Sequence, residues 1–381
     1  MSNSSANPSK KALRIAVGAM FFMAGLCFAS WTSRIASIQQ HLGLSDAGLG
    51  AVLSALPVGL MISLPFSGWI ITKIGSRRLL MTSLTIYGLT LMTLGLAQNS
   101  FQLVCCLLFY GFASNAANIS VNTQAVATEE IYQRPIMASF HGLWSLAGFT
   151  GAGIGAYMIG KGVVPFHHFI LISMIMVICI FIASRSLNDD KTAQGGPIFV
   201  MPDSSLIKLG VIAFCSMMCE GAMFDWSTIY FRDIVHPGVA LIGTGFAFFM
   251  GAMASGRLFI ADWFAHKYGI KRILQVSGSL TAAGLLVAVA FPYFIPSIIG
   301  FVMVGLGVSS VVPMVYSAAG KSKTMAPGVA LAAVSTIGFS GFLIAPSIIG
   351  FIAGLATLRA SFVLIACMGI SIAVVSSKTK L

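Results

Sequence analysis

The chain alternates between long apolar runs and short polar breaks. A helix needs roughly 20 apolar residues, rising about 1.5 Å each, to cross the hydrocarbon of a bilayer. The alternation predicts helices at about 12–39, 46–72, 78–97, 100–128, 135–160, 165–184, 206–234, 239–265, 272–291, 294–319, 326–353 and 358–376. The expected fold class is therefore all-α integral membrane, with twelve transmembrane helices in two pseudo-symmetric six-helix bundles.

The longest polar stretch, at 185–205, holds Asp189, Asp190, Lys191, Gly195, Gly196 and two prolines, which is linker chemistry. It divides the chain into an N-terminal bundle (1–185), a cytoplasmic linker loop (186–205) and a C-terminal bundle (206–381). The halves repeat weakly at an offset of about 194: Lys73, Gly75, Arg77 and Arg78 fall on Lys267, Gly269, Lys271 and Arg272. Trp31 falls on Trp226, and Gly148-Phe149 on Gly341-Phe342. Duplicated bundles are an arrangement in which transporters place a site at the midplane between repeats.

Composition removes several function classes. Only 8% of residues are charged and the mean hydropathy is +0.93, against about 25% charged in soluble domains. The net charge of +12 does not point to nucleic acid. With the N-terminus inside, 17 of the 22 Lys and Arg fall in cytoplasmic tails and loops, as the positive-inside rule requires. Arg34, Lys161, Arg232 and Arg359 sit near the outer side, and Arg257 lies within a span. The seven cysteines lie in apolar runs without metal-type spacing, so no metal or other cofactor is expected. The basic, apolar N-terminus imitates a signal peptide but reads as an uncleaved first span. No phosphate-binding loop for ATP is present, and the six histidines are scattered, so an enzyme is not expected.

The chemistry lies in polar groups at membrane depth. Counted from Lys208, Glu220 lies about 18 Å and Asp225 about 25 Å along the seventh span. A charge near the bilayer centre costs on the order of 2.5–3.5 kcal/mol. Glu220 and Asp225, about 140° apart on the helix, are expected to couple protons; Asp225 with Arg34 is expected to form an outer gate. Glu220 has no obvious cationic partner. The alternative role for both acids is to fix helix packing. Asn115, Asn118 and Asn122 share one face of span four, with Gln124 deeper, and suit either a wet cavity or interhelical bonds. His141, Trp144, Ser145 and Gly148 share a face of span five. His141 is a cavity donor, a second proton site or a packing residue; Trp31, Trp144 and Trp226 are candidate platforms for a solute ring.

The loop Gly68-Trp69-Ile70-Ile71-Thr72-Lys73-Ile74-Gly75-Ser76-Arg77-Arg78 resembles the G-x-x-x-D-R/K-x-G-x-R/K-R/K motif of the major facilitator superfamily. The resemblance covers essentially the whole chain. It implies that Gly68, Lys73, Gly75, Arg77 and Arg78 form a gating latch, with Arg257 and Asp262 supplying a substitute charge network because Thr72 and His266 replace the motif acid. VNTQAVATEE (121–130), RPIMASFHGLWSLAG (134–148), EGAMFDWS (220–227) and STIGFSGFLIAPSIIGF (335–351) are similar to the fucose-permease-related inner-membrane branch. That branch often carries an acid in helix four where Asn118 stands here, which shifts coupling to Glu220 and Asp225. The implied function is a secondary transporter of a small polar solute, sugar-like favoured, working by alternating access as a proton-coupled symporter. Sodium is the other coupling ion. The alternatives are a proton-antiport exporter of drugs or metabolites and a non-transporting receptor. The expected setting is the bacterial inner membrane, as a multi-pass monomer with both termini cytoplasmic.

Overall fold

Side-chain caps mark several helix starts. Ser9 accepts from the Ala12 amide, Ser45 from Gly48, Asn99 from Gln102 and Thr357 from Ala360. The computed structural model describes residues 9–133, 136–188, 204–320 and 327–379. Among these, twelve helices of membrane length follow in order. They are α1 (Lys10–Leu42), α2 (Asp46–Ile74), α3 (Ser76–Leu94), α4 (Ser100–Tyr132), α5 (Met137–Gly160) and α6 (Pro165–Ser184). Then come α7 (Leu206–Val235), α8 (Val239–Phe259), α9 (Lys267–Ala290), α10 (Phe294–Ala319), α11 (Pro327–Leu355) and α12 (Leu358–Ser377). Ten of them contain a stretch apolar and long enough to cross a bilayer. Most of the predicted linker, 189–203, lies outside the described residues.

The remaining two, α3 and α5, show how polar or glycine-rich sequence still spans. In α3 the hydroxyls of Thr82, Ser83, Thr85 and Thr90 donate to carbonyls one turn back, on Arg78, Leu79, Met81 and Ile86. Each of these four hydroxyls is satisfied inside its own helix, so none presents an open donor to lipid. In α5, glycines lower the hydropathy and let neighbours approach: a Cβ on Gly151 would come within 2.8 Å of Ala29 Cβ on α1.

The internal repeat survives in backbone geometry. Gly75, between α2 and α3, has φ 82° and ψ 161°; Gly269, its counterpart at the start of α9, has φ 79° and ψ 162°. Both conformations are closed to a residue with a Cβ.

The first six helices meet the last six along two seams. Glycines of α5 pack on α8, where Gly142 faces Leu258 and Gly148 faces Met250. The first turns of α2 cross the end of α11 so closely that a Cβ on Gly50 would lie 2.4 Å from the Pro346 carbonyl oxygen. Ser54 and Ser347 share a hydrogen bond of 2.7 Å across this crossing. Nearby, Arg232 of α7 donates to the Ala36 carbonyl and to Gln39 Oε1 of α1, both at 2.7 Å. Gln39 Nε2 in turn donates to Asp46 at 2.8 Å. These contacts join the halves at the face opposite the two chain ends.

Candidate functional site

A cavity of about 270 Å³ lies between the halves. Helix α4 contributes Ser114, Asn115 and Asn118 to its wall; α5 contributes His141 and Trp144; α7 contributes Glu220, Phe224 and Asp225; α8 contributes Arg257. Apolar residues of α2 (Leu53, Leu56, Pro57 and Leu60), Tyr87 of α3 and aromatic rings from α1 and α11, including Phe21, Phe28 and Phe342, line the rest.

Arg257 organises the charge. It sits in a π-helical turn at Gly256–Ile260, a distortion frequent at functional sites. Its Nη2 lies 3.5 Å from Glu220 Oε2, its Nη1 donates to Ser145 Oγ at 3.0 Å, and its Nε donates to the Ser309 carbonyl at 3.3 Å. One guanidinium therefore ties α7, α8 and α10 to α5 of the other half. A buried charge needs such a partner set, since desolvation alone costs several kcal/mol per ion.

Several polar side chains on the cavity wall are without a hydrogen-bond partner among the described residues, and three of them bear on function. Asn115 Nδ2 and Glu220 Oε1 are buried without a hydrogen-bond partner in the protein. The Asp225 carboxylate lines the same space, and no hydrogen bond or ion pair reaches it. Buried polar groups are satisfied in most proteins, so unsatisfied side chains on residues that line one cavity mark a place for a ligand, a proton or water.

Of the residues expected to bind solute, Asn115, Asn118, His141 and Trp144 line the cavity, and both acids join them. The other four stand elsewhere. Asn122 donates to the carbonyl and the Oδ1 of Asn118, bracing it from one turn away. Gln124 donates to Ser76 Oγ and the Asn188 carbonyl, both at 2.7 Å, and accepts from the Asn188 amide at 3.0 Å. It ties the ends of α3, α4 and α6 together. Trp31 and Trp226 are fully buried outside the cavity wall, Trp31 against Tyr110.

Two charge expectations are corrected. Arg34 does not meet Asp225: α1 breaks after Thr32 and turns the side chain toward α6. There Arg34 donates to His168 Nδ1 at 3.2 Å and to the Val163 carbonyl at 2.7 Å. Glu220, expected to stand without a cation, has Arg257. In the motif loop, Gly75 makes the turn, Thr72 Oγ1 donates to its own helix at the Trp69 carbonyl, and Lys73 and Arg78 are exposed, as is Gly68's neighbour Trp69. The side chain of Asp262 lies outside the described residues, as does that of His266.

The Major Facilitator Superfamily profile matches residues 16–324. An uncharacterised MFS-type transporter of Yersinia pestis is 32% identical over 354 residues, covering 93% of this chain and 92% of its own. Membrane protein MosC of Rhizobium meliloti is 30% identical over 374 residues, 97% of this chain and 91% of that one. Among solved structures, the nucleoside transporter NupG superposes with a TM-score of 0.70 at 15% identity, over 96% of this chain and 98% of that one, and shows the same fold. By family match and full-length relatives alike, the chain belongs to the Major Facilitator Superfamily of membrane transporters.

Proposed function

We propose that the cavity is the transport site of a small polar, sugar-like solute, carried by proton-coupled symport as the two bundles rock about it. The observation that carries this reading is the set of open polar groups at Asn115, Glu220 and Asp225 on one cavity between the halves. Its volume, about 270 Å³, falls just below the range of about 300–1,000 Å³ for sites that enclose drug-sized ligands. That size favours a compact solute over a bulky amphiphile.

In this reading Asn115 and Asn118 supply amide contacts to hydroxyl groups, and Trp144 offers a ring face. Glu220 is the coupling carboxyl. Protonating it removes its attraction for Arg257, leaving that guanidinium with Ser145 and Ser309, so a proton alters the bonds that join the halves. Alternation closes the opposite-face contacts, Arg232 with Ala36 and Gln39 and the α2–α11 crossing, when the cavity communicates with the side of the chain ends. The loop cations Lys73, Arg77 and Arg78, with Gly68 and Gly75, are assigned the latch on that second side. The setting proposed is the inner membrane, as a monomer with cytoplasmic termini.

The test is uptake into proteoliposomes with and without an imposed pH gradient. The panel holds hexoses, deoxyhexoses, polyols, amino acids, nucleosides and lipophilic cations. Gradient-driven uptake of a sugar-class solute that loses its gradient dependence in Glu220→Gln supports the reading. Hits confined to lipophilic cations would replace symport of a polar solute by antiport.

A further inference from the structure

We propose that the solute carries a protonated amine, held by Asp225 beside an aromatic wall formed by Phe28, Trp144, Phe224 and Phe342. The inference rests on the transport-site reading above and specifies its substrate class as a hydroxylated primary amine.

The charged side chains on the cavity wall, among the described residues, are Glu220, Asp225 and Arg257. Arg257 is engaged with Glu220, Ser145 and Ser309, which leaves Asp225 as the acid without a cation. His141, also on the wall, packs edge-on against Phe21 with centroids 5.3 Å apart, and no salt bridge links it to Asp225. An open carboxylate in this position attracts any cation the cavity admits.

The neighbouring surface selects among cations. Phe224 precedes Asp225 in the chain and meets Phe28 edge to face at 5.0 Å between centroids. Trp144 lies 5.8 Å from Phe28 and 6.4 Å from Phe224, and Phe342 stacks nearly parallel on Phe224 at 6.2 Å. All four rings line the cavity. Ring faces are electron-rich and attract organic ammonium groups, most strongly where water is excluded. A cavity that combines a carboxylate with aromatic faces is thus a better host for an ammonium than for a hydroxyl. Asn115 lines the same cavity and its Nδ2 is buried without a partner, so a turn of the side chain supplies a donor to an oxygen of the same solute. The wall therefore presents an ammonium acceptor and a hydroxyl partner within one compact volume.

The same geometry gives Asp225 and Glu220 different tasks. Glu220 is joined to the conformational seam through Arg257, and Asp225 is not. The carboxylate that faces only the cavity is the one free to read the solute.

The experiment compares matched solutes on the full-length purified protein at pH 7: glucosamine and galactosamine, their N-acetyl derivatives, and glucose and galactose. Thermal shift and uptake are both read, on the wild type and on Asp225→Asn and Trp144→Phe. The expected result is that the free amines bind at least about tenfold more tightly than their N-acetyl and hydroxyl counterparts. Asp225→Asn should abolish that preference, so that amines, N-acetyl derivatives and neutral sugars bind with similar affinity; Trp144→Phe should weaken the amines about threefold to fivefold. Equal binding of amine and neutral sugar overturns the amine assignment and leaves the sugar-class reading intact. No response to any member, in protein that still shows a cooperative melting transition, overturns both. A preference for amines that survives in Asp225→Asn overturns the role of that carboxylate.

Discussion

Replacing Gly50 by alanine places one methyl group in the backbone-to-backbone crossing of α2 on α11. The new Cβ would lie 2.4 Å from the Pro346 carbonyl oxygen and 2.9 Å from Gly350 Cα. Neither neighbour is the end of a flexible side chain, so neither can swing aside. Ordinary contact begins at 3.4 Å, and the two helices must therefore part by about 1 Å at this point. Overpacking of this kind costs on the order of 1–3 kcal/mol. In the proposed cycle the cost falls on the arrangement closed at the face opposite the chain ends, because the crossing is undone when that face opens. The equilibrium should then move roughly 5- to 150-fold toward opening.

The assay is a distance distribution between spin labels at exposed positions of the two halves on that face, His41→Cys and His236→Cys, in a background without the native cysteines. Gly50→Ala should enlarge the population at longer distance, and Gly50→Val should enlarge it further. Gly153→Ala is the control, since a Cβ there meets nothing within 4 Å. Indistinguishable distributions for wild type, Gly50→Ala and Gly50→Val would refute the reasoning: either the crossing adjusts without opening, or it is not a gate.

Three further outcomes are expected. Arg257→Ala leaves Glu220 buried beside no cation and should cost about 3–5 kcal/mol, seen as a lower thermal midpoint; adding Glu220→Gln should restore most of it, and a double variant as unstable as the single would sink the pairing. Arg232→Ala removes the donors to the Ala36 carbonyl and Gln39 and should shift the same label pair toward opening by about 1–2 kcal/mol; unchanged distances would remove it from the closure. Gln124→Ala removes the hydrogen bonds that join it to Ser76 Oγ and to the Asn188 amide and carbonyl and should lower stability by about 1–3 kcal/mol, with solute affinity unchanged; a tenfold loss of affinity at constant melting temperature would return Gln124 to the binding site.

The helices were legible because hydropathy is a property of the run, and lipid imposes it on every span. The turn at Gly75 and its repeat at Gly269 were legible too, since each occupies a conformation that favours glycine strongly. Side-chain direction was less so. Asn115 and Asn118 reach the cavity while Asn122, on the same face of α4, turns back to brace Asn118. A helical face predicts a sector, not the depth at which that sector stops being wet. Gln124 shows the same limit: it is polar and on the right helix, but its partners are helix ends.

The Glu220–Arg257 pair was within reach of arithmetic. Measured back from the ends of α7 at Val235 and α8 at Val239, Glu220 lies about 22 Å deep and Arg257 about 27 Å. An intramembrane arginine needs an anion, and these depths match within one helical turn. The missed signal was this pairing by depth across antiparallel neighbours. Arg34 failed for the opposite reason: its depth matched Asp225, but the break in α1 after Thr32 rotates it away.

The placement of Arg257 also separates two demands that one carboxylate could not meet alone. In the proposed cycle, the residue that feels the proton must change the bonds between the halves, and the residue that reads the solute must stay open until the solute arrives. Glu220 shares Arg257 with Ser145, so its charge bears on a bond across the α5–α8 seam. Asp225 touches no such bond, and it shares the cavity wall with the rings of Phe28, Trp144, Phe224 and Phe342. If the assignment holds, Glu220→Gln should uncouple transport while leaving the amine preference intact, and Asp225→Asn should do the reverse. Uptake driven by a pH gradient and equilibrium binding of the matched solutes, measured on both variants, separates the two. Loss of both properties in either variant would mean that the two acids act as one site.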